Sequence, residues 1–121
     1  MILTKEDYFE YSGIDLNLEL RNMPTDNPSR AVDIFLKNEE QWLKDVLVYF
    51  FDNTEEQVEN IPKDKMKRAL CYQIDYIRRN GLLRYDIDFK DLPLDRNARM
   101  VLRGYTNMAR DGSRGVGQIW H

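Results

Sequence analysis

The chain has 121 residues and a formal net charge of −3, with 42% hydrophobic and 32% charged residues. These values predict one soluble globular domain and exclude an intrinsically disordered chain. The longest apolar run, Val46–Phe51 with Tyr49 inside it, is far shorter than the ~20 residues of a membrane span, and the opening residues lack a signal-peptide layout. We therefore expect no membrane partner.

The first predicted element is a short helix at the N-terminus. Thr4 can cap it, acidic side chains follow in its first turn, and Gly13 can end it in the left-handed conformation. Apolar residues then alternate over residues 14–20, which is a strand signal. No second strand is visible to pair with this segment, so we predict a short helical turn there.

A long helix is predicted over residues 29–51, after a loop rich in turn residues. Its apolar stripe at helical spacing consists of Val32, Phe35, Leu36, Leu43, Val46, Leu47 and Phe50. Trp42 and Tyr49 flank this stripe, whereas Val48 and Phe51 lie well off it. The second half of the helix is therefore apolar on more than one side, and either another helix or another subunit must cover it.

Three further start signals follow. Thr54 and Gln57 match a capping box, Pro62 suits the first position of a helix that runs to about Asn80, and Asp95 can cap a last helix over residues 96–110. We predict an all-α fold: a small bundle of four to five helices with two long antiparallel helices. The helical domain spans residues 1–110, and residues 111–121 form a flexible C-terminal tail.

A search for reactive groups predicts no catalytic, metal or cofactor site, so we expect a protein that is not an enzyme. The glycine-rich residues 112–117 lack the lysine and hydroxyl of a phosphate-binding loop. Cys71 and His121 are the only cysteine and histidine, and Cys71 is best explained as a small residue beside the core. Four aspartates crowd residues 86–95 without the spacing of a calcium loop, and helix caps or solvated charges explain them better.

The net charge conceals a division between the two halves of the chain. Residues 1–60 hold 14 acidic and 5 basic residues, a net charge of −9, whereas residues 61–121 hold 7 acidic and 13 basic residues, a net charge of +6. Such a division carries information about partners rather than about the fold.

Four arginines of the predicted last helix, Arg96, Arg99, Arg103 and Arg110, follow one another at spacings of three, four and seven residues, so they can share one helical face. Three interpretations stay open. The face can be solvated, it can meet the acidic half of another copy, or it can bind the phosphates of a nucleic acid. The acidic charge of the whole chain favours protein pairing over DNA.

Aromatic side chains are enriched at protein interfaces, and this chain has seven Tyr, five Phe and two Trp. We therefore predict a subunit interface that includes Trp42, Tyr49, Phe51, Tyr72, Tyr76, Arg99 and Arg103. Ile119 and Trp120 are candidate anchors of a docking tail. The alternative for the tail is a plain disordered terminus.

Three segments carry a resemblance to a known family. They are residues 3–16 (LTKEDYFEYSGIDL), the long helix with its aromatic stripe ending at residues 42–45 (WLKD), and residues 65–81 (KMKRALCYQIDYIRRNG). Together they resemble the head–tail connector, or head-completion adaptor, proteins of tailed bacteriophages. The likeness spans roughly residues 3–110 and rests on caps and core stripes. No family pattern is recognisable over residues 85–93 or in the tail.

The resemblance implies a virion protein without a cofactor. Such proteins are made in the bacterial cytoplasm and assemble as a ring, typically of twelve copies, beneath the portal protein at the head–tail junction. The portal is then the candidate docking partner of Ile119 and Trp120 in the tail. The ring extends the DNA channel, lets DNA pass without sequence-specific binding, and offers a platform to the next head-completion or tail protein. The alternative function is that of a small helical regulator that binds nucleic acid through the face of Arg96, Arg99, Arg103 and Arg110.

Overall fold

The protein is described by a computed structural model over residues 2–21, 30–81 and 94–108. These residues form six α-helices and one π-helical turn, without a β-strand: α1 Lys5–Ser12, α2 Leu16–Leu20, α3 Ala31–Asp45, the π-helical turn Val46–Phe50, α4 Glu55–Glu59, α5 Lys63–Arg79 and α6 Arg96–Leu102. The prediction of a small all-α bundle is confirmed. The two segments predicted as single turns are the short helices α2 and α4, which raises the number of helices to six.

The caps of α1 and α2 follow from the local sequence. The Thr4 hydroxyl accepts a hydrogen bond from the Asp7 N–H, and the Asp7 carboxylate accepts one from the Thr4 N–H, both at 3.1 Å. Gly13 ends α1 with a φ of 75°, and the Asp15 carboxylate caps α2 by accepting a bond from the Asn17 N–H. Residues 14–20 therefore contain a short helix, as predicted, and not a strand.

The long predicted helix is α3 together with the π-helical turn. Its first residue is Ala31, two residues after the predicted start at residue 29, which lies outside the described residues. At its C-terminal end the Phe51 N–H donates to the Val46 carbonyl, five residues back, at 3.2 Å. A π-helical turn holds one more residue than an α-helical turn, so it changes which side chains face the core.

The capping-box prediction at Thr54 is confirmed, since its hydroxyl and the Gln57 side chain bond each other's backbone N–H groups. Pro62 is the N-cap of α5 rather than its first helical residue. That helix ends at Arg79, and Gly81 follows in the left-handed region with a φ of 67°. α6 packs on α5, while α3 packs on α1, α2 and α5.

The last helix is much shorter than predicted: α6 ends at Leu102 instead of residue 110. A buried amide holds the chain that follows. The Asn53 side chain donates to the Asn107 carbonyl at 3.2 Å and accepts from the Asn107 N–H at 2.7 Å. These bonds draw residue 107 against the end of the π-helical turn, and Met108 enters the core without a helix. The predicted tail, residues 111–121, lies outside the described residues.

Candidate subunit-interaction surfaces

Two of the predicted interface residues belong to the core of the chain. Trp42 is buried and Phe51 is fully buried, so neither side chain is available to a partner. The π-helical turn explains Phe51, because the added residue rotates its ring inward against Phe50, with ring centroids 5.2 Å apart. Trp42 is covered because α3 is packed by several helices at once. Their assignment to a subunit interface was wrong.

Tyr72 and Tyr76 are half-buried on α5. The Tyr72 ring stands edge-to-face with that of Tyr11, with ring centroids 5.7 Å apart. The ring centroids of Tyr11 and Tyr8 are 6.1 Å apart. Tyr72 is thus part of an aromatic cluster within the chain. A role for these two tyrosines in a subunit interface stays a prediction.

A hydrogen-bonded arginine lies beside this cluster. Arg78 binds Asp75 at 2.8 Å and the Tyr8 hydroxyl at 3.3 Å, and it approaches Glu19 to 3.7 Å. The bond to Asp75 is the main reason that the pKa of Arg78 is raised, while burial raises the pKa of Tyr8. These contacts join α5 to α1 and α2, so the arginine stabilises the packing of these helices and is not a free cation.

A cleft of about 310 Å³ lies between the C-terminal part of α3, the π-helical turn and α4, and we call it the acidic cleft. Its charged rim holds four carboxylates and one ammonium group: Asp45, Glu55, Glu56, Glu59 and Lys44. Its apolar wall consists of Val48, Tyr49 and Val58. Tyr49, a predicted interface residue, is 65% exposed there.

The predicted arginine face is not one continuous helical stripe. Arg99 is half-buried, and its guanidinium lies 5.8 Å from the centroid of the Phe51 ring. Arg96 and Arg103 are exposed, with Arg103 at the C-cap of α6. Arg110 lies outside the described residues, so the structure does not place it on a face with the others. The helix ends early because the contact between Asn53 and Asn107 redirects the chain.

One exposed apolar side chain on α6 was not singled out from the sequence. Met100 is 58% exposed, four residues after Arg96 and three before Arg103. Residues at these spacings lie on one helical face, and the backbone of Arg103 is still helical. We call these three residues the α6 arginine face. The spacing of these residues in the sequence indicates such a face, but the predicted arginine face did not include Met100.

Glu39 is a second feature that the sequence reasoning missed. Only 2% of its surface is exposed, its Oε1 has no hydrogen-bond partner in the described part of the chain, and burial raises its pKa to about 8. The indole N–H of Trp42, three residues later, is also buried, and it too has no hydrogen-bond partner among residues 2–21, 30–81 and 94–108. The signal was in the periodicity, because Glu39 lies on the same stripe as Phe35 and Leu43.

The described residues hold no group of three or more metal-ligating side chains, and none of their helices is long and apolar enough to cross a membrane. Cys71 is a buried free thiol whose pKa burial raises to about 11. Asp95, one of the four crowded aspartates, caps α6 by accepting bonds from the Asn97 and Ala98 N–H groups. The other three aspartates lie outside the described residues.

Comparison of the chain with protein-family models, with curated proteins and with solved structures finds no match.

Proposed function

We propose that this chain is a structural adaptor of the head–tail connector kind. Copies of it form a ring beneath a portal protein, extend the DNA channel and offer a platform to the next head-completion or tail protein. The observation that carries this proposal is the division of charge between its N-terminal and C-terminal elements.

The division persists among the residues that the structure describes. Up to residue 60 these comprise 13 acidic and 5 basic residues, a net charge of −8, and from residue 61 they comprise 3 acidic and 9 basic residues, a net charge of +6. A ring requires that one surface of each copy meet a different surface of the next. Opposite charges on different elements supply such a pair of surfaces and favour one orientation of the copies.

The acidic elements also suit the passage of DNA. A channel lined by carboxylates repels phosphates and lets a duplex slide, whereas a basic lining would hold it. We propose that DNA moves through the ring without sequence-specific contacts.

The nucleic-acid-binding regulator is the second candidate, and the exposed Arg96 and Arg103 are what favours it. Phosphate contacts by arginine give an affinity that falls steeply with salt. This function predicts duplex binding that is weakened when Arg99 and Arg103 are both replaced by alanine. The adaptor predicts no such binding by the free chain.

Native mass spectrometry of the purified chain, alone and with the portal protein encoded in the same genome, tests the adaptor function. We expect a ring, formed either by the chain alone or on the portal as a template. A chain that stays monomeric and associates with no portal contradicts the proposal. Portal, capsid or terminase genes beside its gene are the expected genomic context, and their absence argues against it.

A further inference from the structure

The acidic cleft has a surplus of carboxylates that no other described residue neutralises. The one cation among the described lining residues, Lys44, is already paired with Glu40 at 3.2 Å. Asp45 accepts a hydrogen bond from Gln41 at 2.9 Å. Among the described residues, the side chains of Glu55, Glu56 and Glu59 form no ion pair or hydrogen bond. The cleft therefore favours a cationic occupant.

The wall of the cleft favours an occupant with an apolar centre. Val48 and Val58 line it, and the exposed ring of Tyr49 stands at its side. An aromatic ring in such a position can receive a methionine sulfur or an aliphatic chain. A free phosphate or a nucleic acid backbone fits neither the charge nor this apolar wall.

The α6 arginine face has the matching composition. Met100 projects from α6 as an exposed apolar residue, and Arg96 and Arg103 flank it on the same face. Neither arginine forms an ion pair with any other described residue. Guanidinium groups bind carboxylates through two parallel hydrogen bonds, so two arginines can serve two or more glutamates.

We infer that the α6 arginine face of one copy docks in the acidic cleft of a second copy, with Met100 against Tyr49 and the two arginines on the glutamates of α4. The inference rests on the proposed self-assembly and names the two surfaces that meet. Each copy carries both surfaces, so the contact can be repeated from copy to copy, and a ring is its closed form.

Charge reversal on each surface tests the contact. The cleft variant carries Glu55→Lys and Glu59→Lys, and the face variant carries Arg96→Glu and Arg103→Glu. In each variant both surfaces have the same sign of charge, so we expect the dissociation constant for self-association to rise roughly a hundredfold or more. An equimolar mixture restores opposite charges at every contact and should restore assembly, measured by sedimentation velocity at low ionic strength.

Control variants with the same change of charge elsewhere separate this contact from general repulsion. Glu6→Lys with Glu10→Lys matches the cleft variant, and Lys37→Glu with Arg68→Glu matches the face variant, all at exposed positions. We expect both controls to assemble like the unaltered chain. Circular dichroism and thermal unfolding establish that every variant is folded.

A crosslink tests the same contact without reversing charges. A chain with Tyr49→Cys is mixed with a chain carrying Met100→Cys under mild oxidation, and we expect a disulfide-linked pair of chains. A chain with Phe9→Cys in place of Met100→Cys is the control, since Phe9 is similarly exposed on α1. Equal crosslinking in both mixtures would overturn the contact.

The outcomes distinguish this inference from the proposed function. A ring that both charge-reversal variants form unchanged overturns the contact and leaves the adaptor function intact. A closed dimer that depends on these charges supports the contact and contradicts the ring. A chain that stays monomeric at low ionic strength, up to its highest soluble concentration, overturns the contact.

Discussion

Glu39 places a carboxyl group in an apolar environment. It lies on the core-facing stripe of α3, and neither a cation nor a hydrogen-bond donor among the described residues meets its buried Oε1. Ionisation there is costly, so the folded chain keeps the proton and the pKa rises from the usual 4.5 to about 8. The unfolded chain releases that proton at its ordinary pKa.

This difference gives Glu39 a signed effect on stability. Because the folded pKa is the higher one, its contribution is fully present below about pH 4.5 and is lost as pH rises through about 8. Within that window the free energy of unfolding should fall by about 1.4 kcal/mol per pH unit from this group. Replacing Glu39 with methionine should remove this slope and stabilise the chain by about 3 kcal/mol near pH 7, measured by urea unfolding.

The neighbouring Glu40 provides a control. Its carboxylate accepts a hydrogen bond from the Ile2 N–H at 2.8 Å and pairs with Lys44. Burial opposes these contacts, yet they lower its pKa below the usual value, so the folded chain does not keep a proton on Glu40 as it does on Glu39. Glu40→Gln should therefore keep the slope of the unaltered chain. The interpretation fails if the two variants show the same dependence on pH.

The Asn53 side chain forms hydrogen bonds that join distant parts of the chain. Its side-chain amide donates to the Leu47 carbonyl at 2.8 Å as well as bonding the backbone of Asn107 on both sides. Asn53→Ala leaves the Asn107 N–H and carbonyl without this partner, so we expect a loss of about 3 kcal/mol in chemical unfolding. Asn97→Ala, at an exposed site whose side chain bonds no other described residue, should change stability by less than about 0.5 kcal/mol.

At the scale of single elements, helix ends are the feature that local sequence controls best. The predicted caps at Thr4, Thr54 and Asp95 all form, and Asp15 caps α2 in the same way. A cap needs only a short polar side chain and the next two or three N–H groups, so nothing distant decides it. The same holds for the glycines that follow α1 and α5.

At Gly13 the energetic cost of a left-handed backbone conformation can be measured without interference from side-chain packing. The φ of this glycine is 75°, and a Cβ built there meets no atom within 4 Å, so Gly13→Ala costs only backbone strain of about 1 kcal/mol. Gly104 also has open space around a Cβ but no positive φ, so Gly104→Ala should be neutral or slightly stabilising. Thermal unfolding of both variants compares them, and equal losses would contradict this explanation.

Two mispredicted elements are the π-helical turn, which is an irregularity of the long helix itself, and α6, whose following chain is held by a distant contact. The 3.6-residue period places Phe51 off the stripe, but the π-helical turn brings it into the core. The apolar spacing of Tyr105 and Met108 continues the helical pattern, yet α6 stops at Leu102. Asn53 is 54 residues from Asn107 in sequence, and no local pattern indicates that pairing.

At the scale of the whole molecule, the environment of Cys71 depends on the complete fold. The thiol is buried, and its pKa is raised from 9.0 to about 11. The raised pKa alone leaves about a hundredfold less thiolate near neutral pH than in the unfolded chain. Labelling by a thiol reagent should therefore be slow in buffer and fast in denaturant. An added cysteine at the exposed position of Met100→Cys should react quickly in both, and rapid native labelling of Cys71 would contradict its burial.

Assembly is also a property of the whole molecule. The acidic cleft needs α3, the π-helical turn and α4 in their tertiary positions, and the α6 arginine face exists because the helix is held on α5. The predicted interface included residues that the fold leaves exposed and residues that it buries. Tyr49 and Arg103 are exposed beside or within these surfaces, whereas Trp42 and Phe51 became core.

From the sequence alone, composition, apolar periodicity and capping residues determined an all-α domain, most of its helix starts, and the division of charge. These features depend on neighbours within about one or two helical turns, or on simple counting. The tertiary structure decided the end of α6, the inward turn of Phe51, the burial of Glu39 and the shape of the acidic cleft. The end of α6 and the burial of Glu39 depend on contacts between elements far apart in the chain, which local preferences cannot specify. The inward turn of Phe51 and the acidic cleft depend on the π-helical turn, an irregularity that the 3.6-residue period does not anticipate.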